Sequence, residues 1–218
     1  IILETVQAES GIITPSKEWL QAIRQKCNEH CVLLIFDEIQ AGFGRTGSLW
    51  AFEQFDVVPD ILLLGKALGG GMPLGAFIAS QKLMSTLTHD PVLGHITTFG
   101  GHPVSCAAGK AALEVLLEGN YIGEVKRKEK ILLENLVHPN ILSHRSSGLW
   151  MSLQFASDEM ARAIIHQCIQ KGLITDWFLF AADRLRIAPP LIISDEELKE
   201  VCSTIIKSID QQFLIFNS

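Results

Sequence analysis

The sequence is poor in charge, since only 19% of its 218 residues are Asp, Glu, Lys or Arg, against about 25% in a typical soluble domain. The 18 basic residues are outnumbered by 24 acidic ones, which gives a net charge of −6. Nucleic acids and anionic membranes are bound through clustered Lys and Arg, so we expect neither as a partner. Apolar residues make up 48% of the chain, which excludes a disordered protein.

Long apolar runs and metal-binding motifs are also lacking. The longest apolar stretches are short runs such as residues 31–36 (CVLLIF), far below the roughly 20 residues that cross a bilayer, and we predict no transmembrane helix. The seven histidines form no H-E-x-x-H motif, and the Cys27-x₃-Cys31 pair has no second ligand pair, so we predict no metal site.

The five cysteines are odd in number and scattered along the chain, which is typical of reduced thiols and predicts a cytoplasmic protein. The chain opens Ile1-Ile2-Leu3-Glu4 without a Met, a signal-peptide charge cluster or a helix cap. We therefore expect a preceding segment.

The first half of the sequence has the pattern of a mostly parallel α/β sheet. Continuous apolar runs such as CVLLIF and ILLL are typical of strands buried on both faces, as parallel strands are. We predict strands at residues 1–6, 31–36, 61–64 and 76–79. A helix is expected to start at Thr14-Pro15-Ser16, with either the Thr14 or the Ser16 hydroxyl as its N-cap, and to run to about residue 30.

The second half predicts a small α+β unit. Helical spacing covers about residues 104–118, 122–136 and 158–171, and short strands are expected at 149–155, near Leu173, and at 184–187. Ser194 and Glu197 form a capping box that opens a final helix. We predict two domains, residues 1–120 as part of a large α/β domain and residues 121–218 as a small C-terminal domain.

Two charged residues follow buried strands of the first half. Asp37 comes directly after CVLLIF, and Lys66 lies one glycine after ILLL. In open α/β sheets, ligands bind outside the carboxyl ends of the strands, so these two side chains are candidate site residues. The glycines at 65, 69, 70, 71 and 75 predict a backbone that a ligand approaches closely.

An alternative is a P-loop ATPase, because VLLIFDE resembles the Mg²⁺-holding strand of such enzymes. The phosphate loop of that class requires G-x-x-x-x-G-K followed by Ser or Thr, whereas Gly65-Lys66 is followed by Ala67. This hypothesis therefore needs a Walker A motif upstream of the chain.

Three segments resemble class III pyridoxal-phosphate aminotransferases of fold type I. They are DEIQAGFGRTG at 37–47, PDILLLGKALGGGMPLGAFIAS at 59–80 and TTFGGHPVSCAAGKAALEVL at 97–116. The segments 4–15 and 184–198 are similar to further parts of the same family. Because family members are roughly twice as long, the resemblance implies the C-terminal half of such an enzyme.

The resemblance implies pyridoxal 5′-phosphate as cofactor and assigns a role to each matching residue. Lys66 would form the Schiff base with the cofactor aldehyde, and Asp37 would keep the pyridine nitrogen protonated. Ile39 is similar to the residue that packs on the ring, and Gln40 to the one that hydrogen-bonds the phenolic oxygen. Thr98, with Thr97 assisting, resembles the hydroxyl that reaches the cofactor phosphate of the other subunit, which implies a homodimer.

The substrate residues implied by the resemblance are Arg186, for a carboxylate, and Glu9. In the ornithine, acetylornithine and 4-aminobutyrate branches, a glutamate like Glu9 forms an ion pair with that arginine while an ω-amino substrate is bound. It releases the arginine when glutamate or 2-oxoglutarate binds. The implied reaction moves an amino group from an ω-amino acid to 2-oxoglutarate. The family's phosphate loop and ring-stacking aromatic residue have no counterpart in residues 1–218, so a fragment that packs but cannot catalyse is a second hypothesis.

Overall fold

The computed structural model describes the backbone of residues 1–216 and the side chains of residues 1–213. The chain forms two compact units. The first contains Ile1–Thr5, Pro15–Phe43 and Ser48–Asn120, and the second contains Val6–Thr14, Gly44–Gly47 and the chain from Tyr121 onward. The division into domains at residue 120 stays a prediction, and the compact units differ from it in the two short segments.

The first unit is built on a four-stranded mixed sheet. Its strands β1 (Ile2–Glu4), β2 (Ile35–Asp37), β3 (Ile61–Leu64) and β4 (Ala76–Ala79) lie in that order. The first three are parallel, and β4 is antiparallel to β3. The sheet is therefore mostly parallel, as the apolar runs predicted.

The helices of the first unit are α1 (Lys17–Glu29), α2 (Gln81–Ser85) and α3 (Pro103–Glu118), with short 3-10 helices at Ala51–Phe55 and Lys66–Gly69. The Ser16 hydroxyl caps α1 by accepting the Trp19 N–H at 3.2 Å, and Leu20 and Cys27 bury the inner face of this helix. These side chains join a core shared with the sheet, formed by Leu34, Phe36, Phe43, Phe55, Val57, Leu62 and Leu64.

The strand predicted at residues 31–36 begins later than expected. Cys31 has a left-handed backbone with φ of 54°, and the Val32 N–H bonds to the Cys27 carbonyl at 2.9 Å. Cys31 and Val32 therefore belong to the turn that follows α1. The side chains of Val32 and Leu33 are exposed. The prediction was wrong for the first four residues of the apolar run, 31–34, because strand pairing depends on the neighbouring strand and not on the run itself. The strand predicted at 1–6 likewise shortens to Ile2–Glu4.

The second unit is an antiparallel sheet packed with helices, as the α+β prediction expected. Strands β5 (Ser143–Ser146), β6 (Met151–Gln154), β7 (Asp176–Phe178) and β8 (Ala181–Ile187) lie in the order β5-β6-β8-β7. The helices are α4 (Tyr121–Asn135), α5 (Asp158–Gln170) and α6 (Asp195–Phe216). Buried side chains of all three helices and of β6 and β8 form one core.

The capping box of α6 is confirmed. The Ser194 hydroxyl accepts the Glu197 N–H at 3.2 Å, and the Glu197 carboxylate accepts the Ser194 N–H at 2.8 Å. The strand expected near Leu173 was wrong, because Gly172 turns the chain with φ of 83° and β7 begins only at Asp176. Strand β5 was not predicted, since its SHRS sequence carries no apolar run.

Candidate active site

Asp37 and Lys66 lie at the same edge of the first unit's sheet. Strands β2 and β3 are parallel, and their register pairs Asp37 with Leu63, three residues before Lys66. Asp37 ends β2, and Lys66 opens the 3-10 helix that follows β3. Asp37 is half-buried and Lys66 is exposed. The two candidates therefore lie at the carboxyl ends of neighbouring strands, where α/β sheets place their ligands.

Ile39 lies close to Asp37 and to Gly65, the residue before Lys66. The Asp37 carboxylate accepts the Ile39 N–H at 3.0 Å, which closes a local turn. A Cβ atom on Gly65 would lie only 3.2 Å from Ile39 Cγ2. The absence of a side chain at Gly65 therefore leaves room for the Ile39 side chain next to this backbone. Gln40 follows in the same turn and is half-buried.

Most of the glycines around Lys66 serve packing within the chain. A Cβ on Gly70 would lie 2.5 Å from the Ala108 carbonyl oxygen of α3, and one on Gly109 would lie 2.4 Å from the Leu68 oxygen. Helix α3 therefore contacts the 3-10 helix of Lys66 backbone to backbone. Packing within the chain therefore accounts for Gly65 and Gly70, whereas a Cβ on Gly71 would meet no atom within 4 Å. The approach of a ligand to these glycines stays a prediction.

Glu38 holds the backbone next to Asp37 and was not predicted from the sequence. Its fully buried carboxylate accepts the N–H groups of Ala51 and Phe52, each at 2.7 Å, and the Thr5 hydroxyl at 3.0 Å. Burial raises the pKa of Glu38 and outweighs these donors. The carboxylate thus anchors the 3-10 helix Ala51–Phe55 to the turn that carries Asp37. Consecutive acidic residues at the end of a buried strand were the available signal, because their side chains must face opposite sides.

Thr97 and Thr98 lie in exposed turns ahead of α3. Within the described part of the chain, neither forms a hydrogen bond with Asp37 or Lys66. His102 caps α3, since its Nδ1 accepts the Val104 N–H at 3.3 Å.

Arg186 and Glu9 are brought together in the second unit. Arg186 Nη1 lies 2.7 Å from Glu9 Oε1, and each side chain is 20% exposed. Glu9 also holds the turn between β7 and β8, because its Oε2 accepts the Leu179 N–H at 3.1 Å and its carbonyl accepts the Phe180 N–H at 3.0 Å. The predicted pairing of the two substrate candidates is therefore a contact in the structure.

A second carboxylate that the sequence did not single out also holds Arg186. Asp176 Oδ2 forms an ion pair with Arg186 Nη2, and the Phe178 ring lies 5.4 Å from the guanidinium carbon. Asp176 and Arg186 are register partners on β7 and β8. No sequence signal placed this pair, because β7 was expected near Leu173.

Arg45 of the AGFGRTG segment is a half-buried cation of the second unit. Its Nη1 donates to the carbonyls of Leu149 at 2.8 Å and Pro189 at 2.6 Å. Burial lowers the pKa of Arg45 to about 10. Pro189 lies three residues after Arg186, so Arg45 fixes the chain that leaves β8.

The described residues contain no cluster of three His, Cys, Asp or Glu side chains that could hold a metal ion. Among the same residues, no helix is both long and apolar enough to cross a membrane.

The model of the family "Aminotransferase class-III" matches residues 1–209. The chain belongs to the class III aminotransferases. The resemblance that its motifs predicted is confirmed, and with it the fold class, a mixed and mostly parallel α/β sheet of fold type I. The family match leaves the P-loop ATPase hypothesis without support.

Solved structures of this family have the same fold as the chain. An ornithine aminotransferase from Toxoplasma gondii is 31% identical, with a TM-score of 0.90 over 100% of this chain and 52% of its own. An ornithine aminotransferase from Plasmodium yoelii is 32% identical, with a TM-score of 0.87 over 97% of this chain and 56% of its own. An aminotransferase from Bacillus anthracis is 28% identical, with a TM-score of 0.89 over 96% and 52%. The chain spans about half the length of these structures.

Class III aminotransferases depend on pyridoxal 5′-phosphate, and the Toxoplasma structure is described with this cofactor at partial occupancy of its active site. The residues at the strand ends fit the group chemically. A carboxylate at Asp37 suits a protonated ring nitrogen, an exposed amine at Lys66 suits an aldehyde, and the apolar Ile39 lies beside Gly65. The cofactor prediction is thus confirmed for the family, and the individual site residues stay predictions.

Proposed function

We propose that the protein carrying this chain is a pyridoxal-phosphate-dependent transaminase. It would transfer the amino group of an ω-amino acid, of the acetylornithine or ornithine kind, to 2-oxoglutarate. The observation that supports this proposal most is the placement of Asp37 and Lys66 at the carboxyl ends of neighbouring parallel strands. Family membership supplies the cofactor for which that pair is suited.

The chain's own residues would divide the work. Bound pyridoxal phosphate supplies an electron sink for the charge left when a proton leaves the carbon that bears the amino group. Asp37 would hold the ring nitrogen in its protonated form through charge pairing. Lys66 would hold the cofactor covalently and, when the substrate amine replaces it, carry the proton between carbon atoms. Ile39 would pack on the ring, and Gln40 would hydrogen-bond the phenolic oxygen.

The substrate assignment is supported by the ion pair of Arg186 with Glu9. A guanidinium binds a carboxylate through two parallel N–H donors, so Arg186 would bind the carboxylate of the 2-oxo acid. Glu9 would neutralise Arg186 while an ω-amino donor is bound. The ornithine aminotransferases among the similar structures favour this branch of the family.

The proposal includes a homodimer, in which Thr98, with Thr97, would reach the cofactor phosphate of the other subunit. The exposure of both threonines in this chain is compatible with that role. We further propose that the 218-residue piece alone is inactive, since it spans about half of its relatives. A cytoplasmic location stays a prediction.

The test uses the full-length protein and a covalent readout. We expect added pyridoxal phosphate to give a visible absorbance band, and borohydride reduction followed by peptide mapping to place the label on Lys66. Lys66→Ala should abolish both signals. Lys110→Ala is the matched control, because Lys110 is an exposed lysine of the same unit. A label that persists in Lys66→Ala contradicts the assignment.

Asp37→Asn tests the second role. Loss of a preorganised charge that stabilises the transition state costs about 10² to 10³ in rate. We therefore expect kcat to fall by that factor while the label on Lys66 still forms. A variant with unchanged kcat would show that Asp37 does not serve the ring nitrogen.

A panel of ω-amino donors with 2-oxoglutarate, assayed on the same full-length protein and on the isolated piece, tests the substrate and the fragment proposals. Turnover of an ornithine-like donor by the full-length protein is expected. Detectable transamination by the isolated piece would refute its inactivity.

A further inference from the structure

Two carboxylates form ion pairs with Arg186, although the proposed function involves only the pair with Glu9. Its Nη1 pairs with Glu9, and its Nη2 pairs with Asp176. The three side chains carry one positive and two negative charges, so their sum is −1. The Asp176 side chain is 48% exposed, against 20% for Arg186, so its carboxylate is open to competition from a ligand.

The fold holds both carboxylates in place. Asp176 stands directly opposite Arg186 in the antiparallel ladder of β7 and β8, and opposed side chains on one face of such a ladder contact each other. Its Oδ1 accepts the Trp177 N–H at 2.8 Å. Glu9 is fixed by the Leu179 N–H. Neither carboxylate depends on Arg186 alone for its position.

A ligand carboxylate must therefore compete for the guanidinium. The end-on bidentate arrangement uses both Nη atoms, and the side-on arrangement uses Nε with one Nη atom. Each arrangement needs at least one nitrogen that already binds Glu9 or Asp176. Moving Glu9 away frees only Nη1, so Asp176 still opposes the ligand at Nη2.

We propose that Asp176 is a specificity-determining residue that competes with substrate carboxylates for Arg186. It weakens the binding of dicarboxylate acceptors. This inference rests on the proposed function of Arg186 as the carboxylate-binding residue.

The test compares Asp176→Asn with the wild type in the full-length protein. Binding of glutarate, an unreactive dicarboxylate, is measured by calorimetry, and KM and kcat are measured for 2-oxoglutarate. Since partly exposed ion pairs have modest energies, we expect Kd and KM to fall by about two- to fivefold, with a smaller change in kcat. Asp176→Glu should restore the wild-type values, and Asp176→Ser serves in place of the Asn variant if that protein misfolds.

Asp183→Asn is the matched control. Asp183 lies on β8, the strand that carries Arg186, and its carboxylate accepts the Gln154 side-chain N–H at 2.8 Å. This change therefore removes one negative charge without altering an Arg186 partner. We expect it to leave glutarate binding unchanged. An equal gain in affinity in Asp183→Asn and Asp176→Asn would overturn the proposal, because a general charge effect would then explain both.

Arg186→Ala distinguishes a failure of the specificity role of Asp176 from a failure of the proposed function of Arg186. If this variant loses glutarate binding while Asp176→Asn behaves like the wild type, the specificity role of Asp176 fails and the proposed function stands. If Arg186→Ala binds glutarate as tightly as the wild type, the carboxylate site itself is wrong and both fail.

Discussion

Replacement of Glu38 tests how the strand end that carries Asp37 is held in place. The buried carboxylate accepts two backbone N–H groups, of Ala51 and Phe52, and the Thr5 hydroxyl. Glu38→Ala leaves these donors without their acceptor in a site closed to water. An unsatisfied buried donor costs about 1 to 3 kcal/mol. For three such donors we therefore expect the free energy of unfolding to fall by about 3 kcal/mol or more in total.

The contribution of Glu38 also depends on pH in a definite direction. Burial raises its pKa above the ordinary value of 4.5, so the folded state binds the proton more tightly than the unfolded chain. Between pH 4.5 and the raised folded value, the free energy of unfolding that Glu38 contributes therefore falls as pH rises. Glu38→Gln, which does not titrate, removes this slope.

Urea unfolding of the full-length protein, repeated from pH 4.5 to 7, measures both effects. Thr5→Val is the control, because it removes one of the three donors and leaves the carboxylate bonded to the backbone. We expect it to cost about 0.5 to 1.5 kcal/mol. The reasoning is refuted if Glu38→Ala costs no more than Thr5→Val. It is also refuted if the stability of the wild type relative to Glu38→Gln rises with pH over this interval.

Three further predictions concern the second unit. Gly148→Ala should destabilise the full-length protein in urea by about 3 kcal/mol or more, because the φ of Gly148 is 69° and the new Cβ would lie 2.5 Å from the Arg45 carbonyl oxygen. Gly172→Ala is the control. Gly172 has a φ of 83° but open space around it, so this change should cost only about 1 kcal/mol in the same assay. Arg45→Met should cost about 2 to 3 kcal/mol because two carbonyls lose a charged donor, and equal stability in urea would contradict this. Cys168 and Cys202 should resist iodoacetamide at pH 8, since burial raises the pKa of both thiols, that of Cys202 to about 11; peptide mapping that finds either labelled in native protein would disprove it.

Features that depend on local hydrogen bonds could be predicted from the sequence. The Ser16 cap of α1 and the Ser194 box of α6 are confirmed because a hydroxyl and a backbone N–H three residues away suffice to form them. The placement of Asp37 and Lys66 at one sheet edge was also within reach. It required only that two buried strands be parallel neighbours, which their continuous apolar runs favoured.

Features that depend on strand register could not be predicted in this way. Residues 31–36 read as one apolar strand, yet pairing with β1 and β3 begins only at Ile35. The Asp176 contact with Arg186 has the same origin. It exists because β7 and β8 align these two residues, and no spacing along the chain encodes that alignment.

The dipeptide Asp37-Glu38 contains a structural carboxylate, that of Glu38, next to the candidate catalytic residue Asp37. Neighbouring residues at a strand end face opposite sides of the sheet, so two acidic side chains in sequence enter different environments. Glu38 is fully buried and bonded to the 3-10 helix Ala51–Phe55, whereas Asp37 is half-buried and bonded within its own turn. A carboxylate that is to hold a ring nitrogen must keep its position without being enclosed itself. The hydrogen bonds of Glu38 hold the backbone beside Asp37 in place, which is what the proposed role of Asp37 toward a ring nitrogen requires.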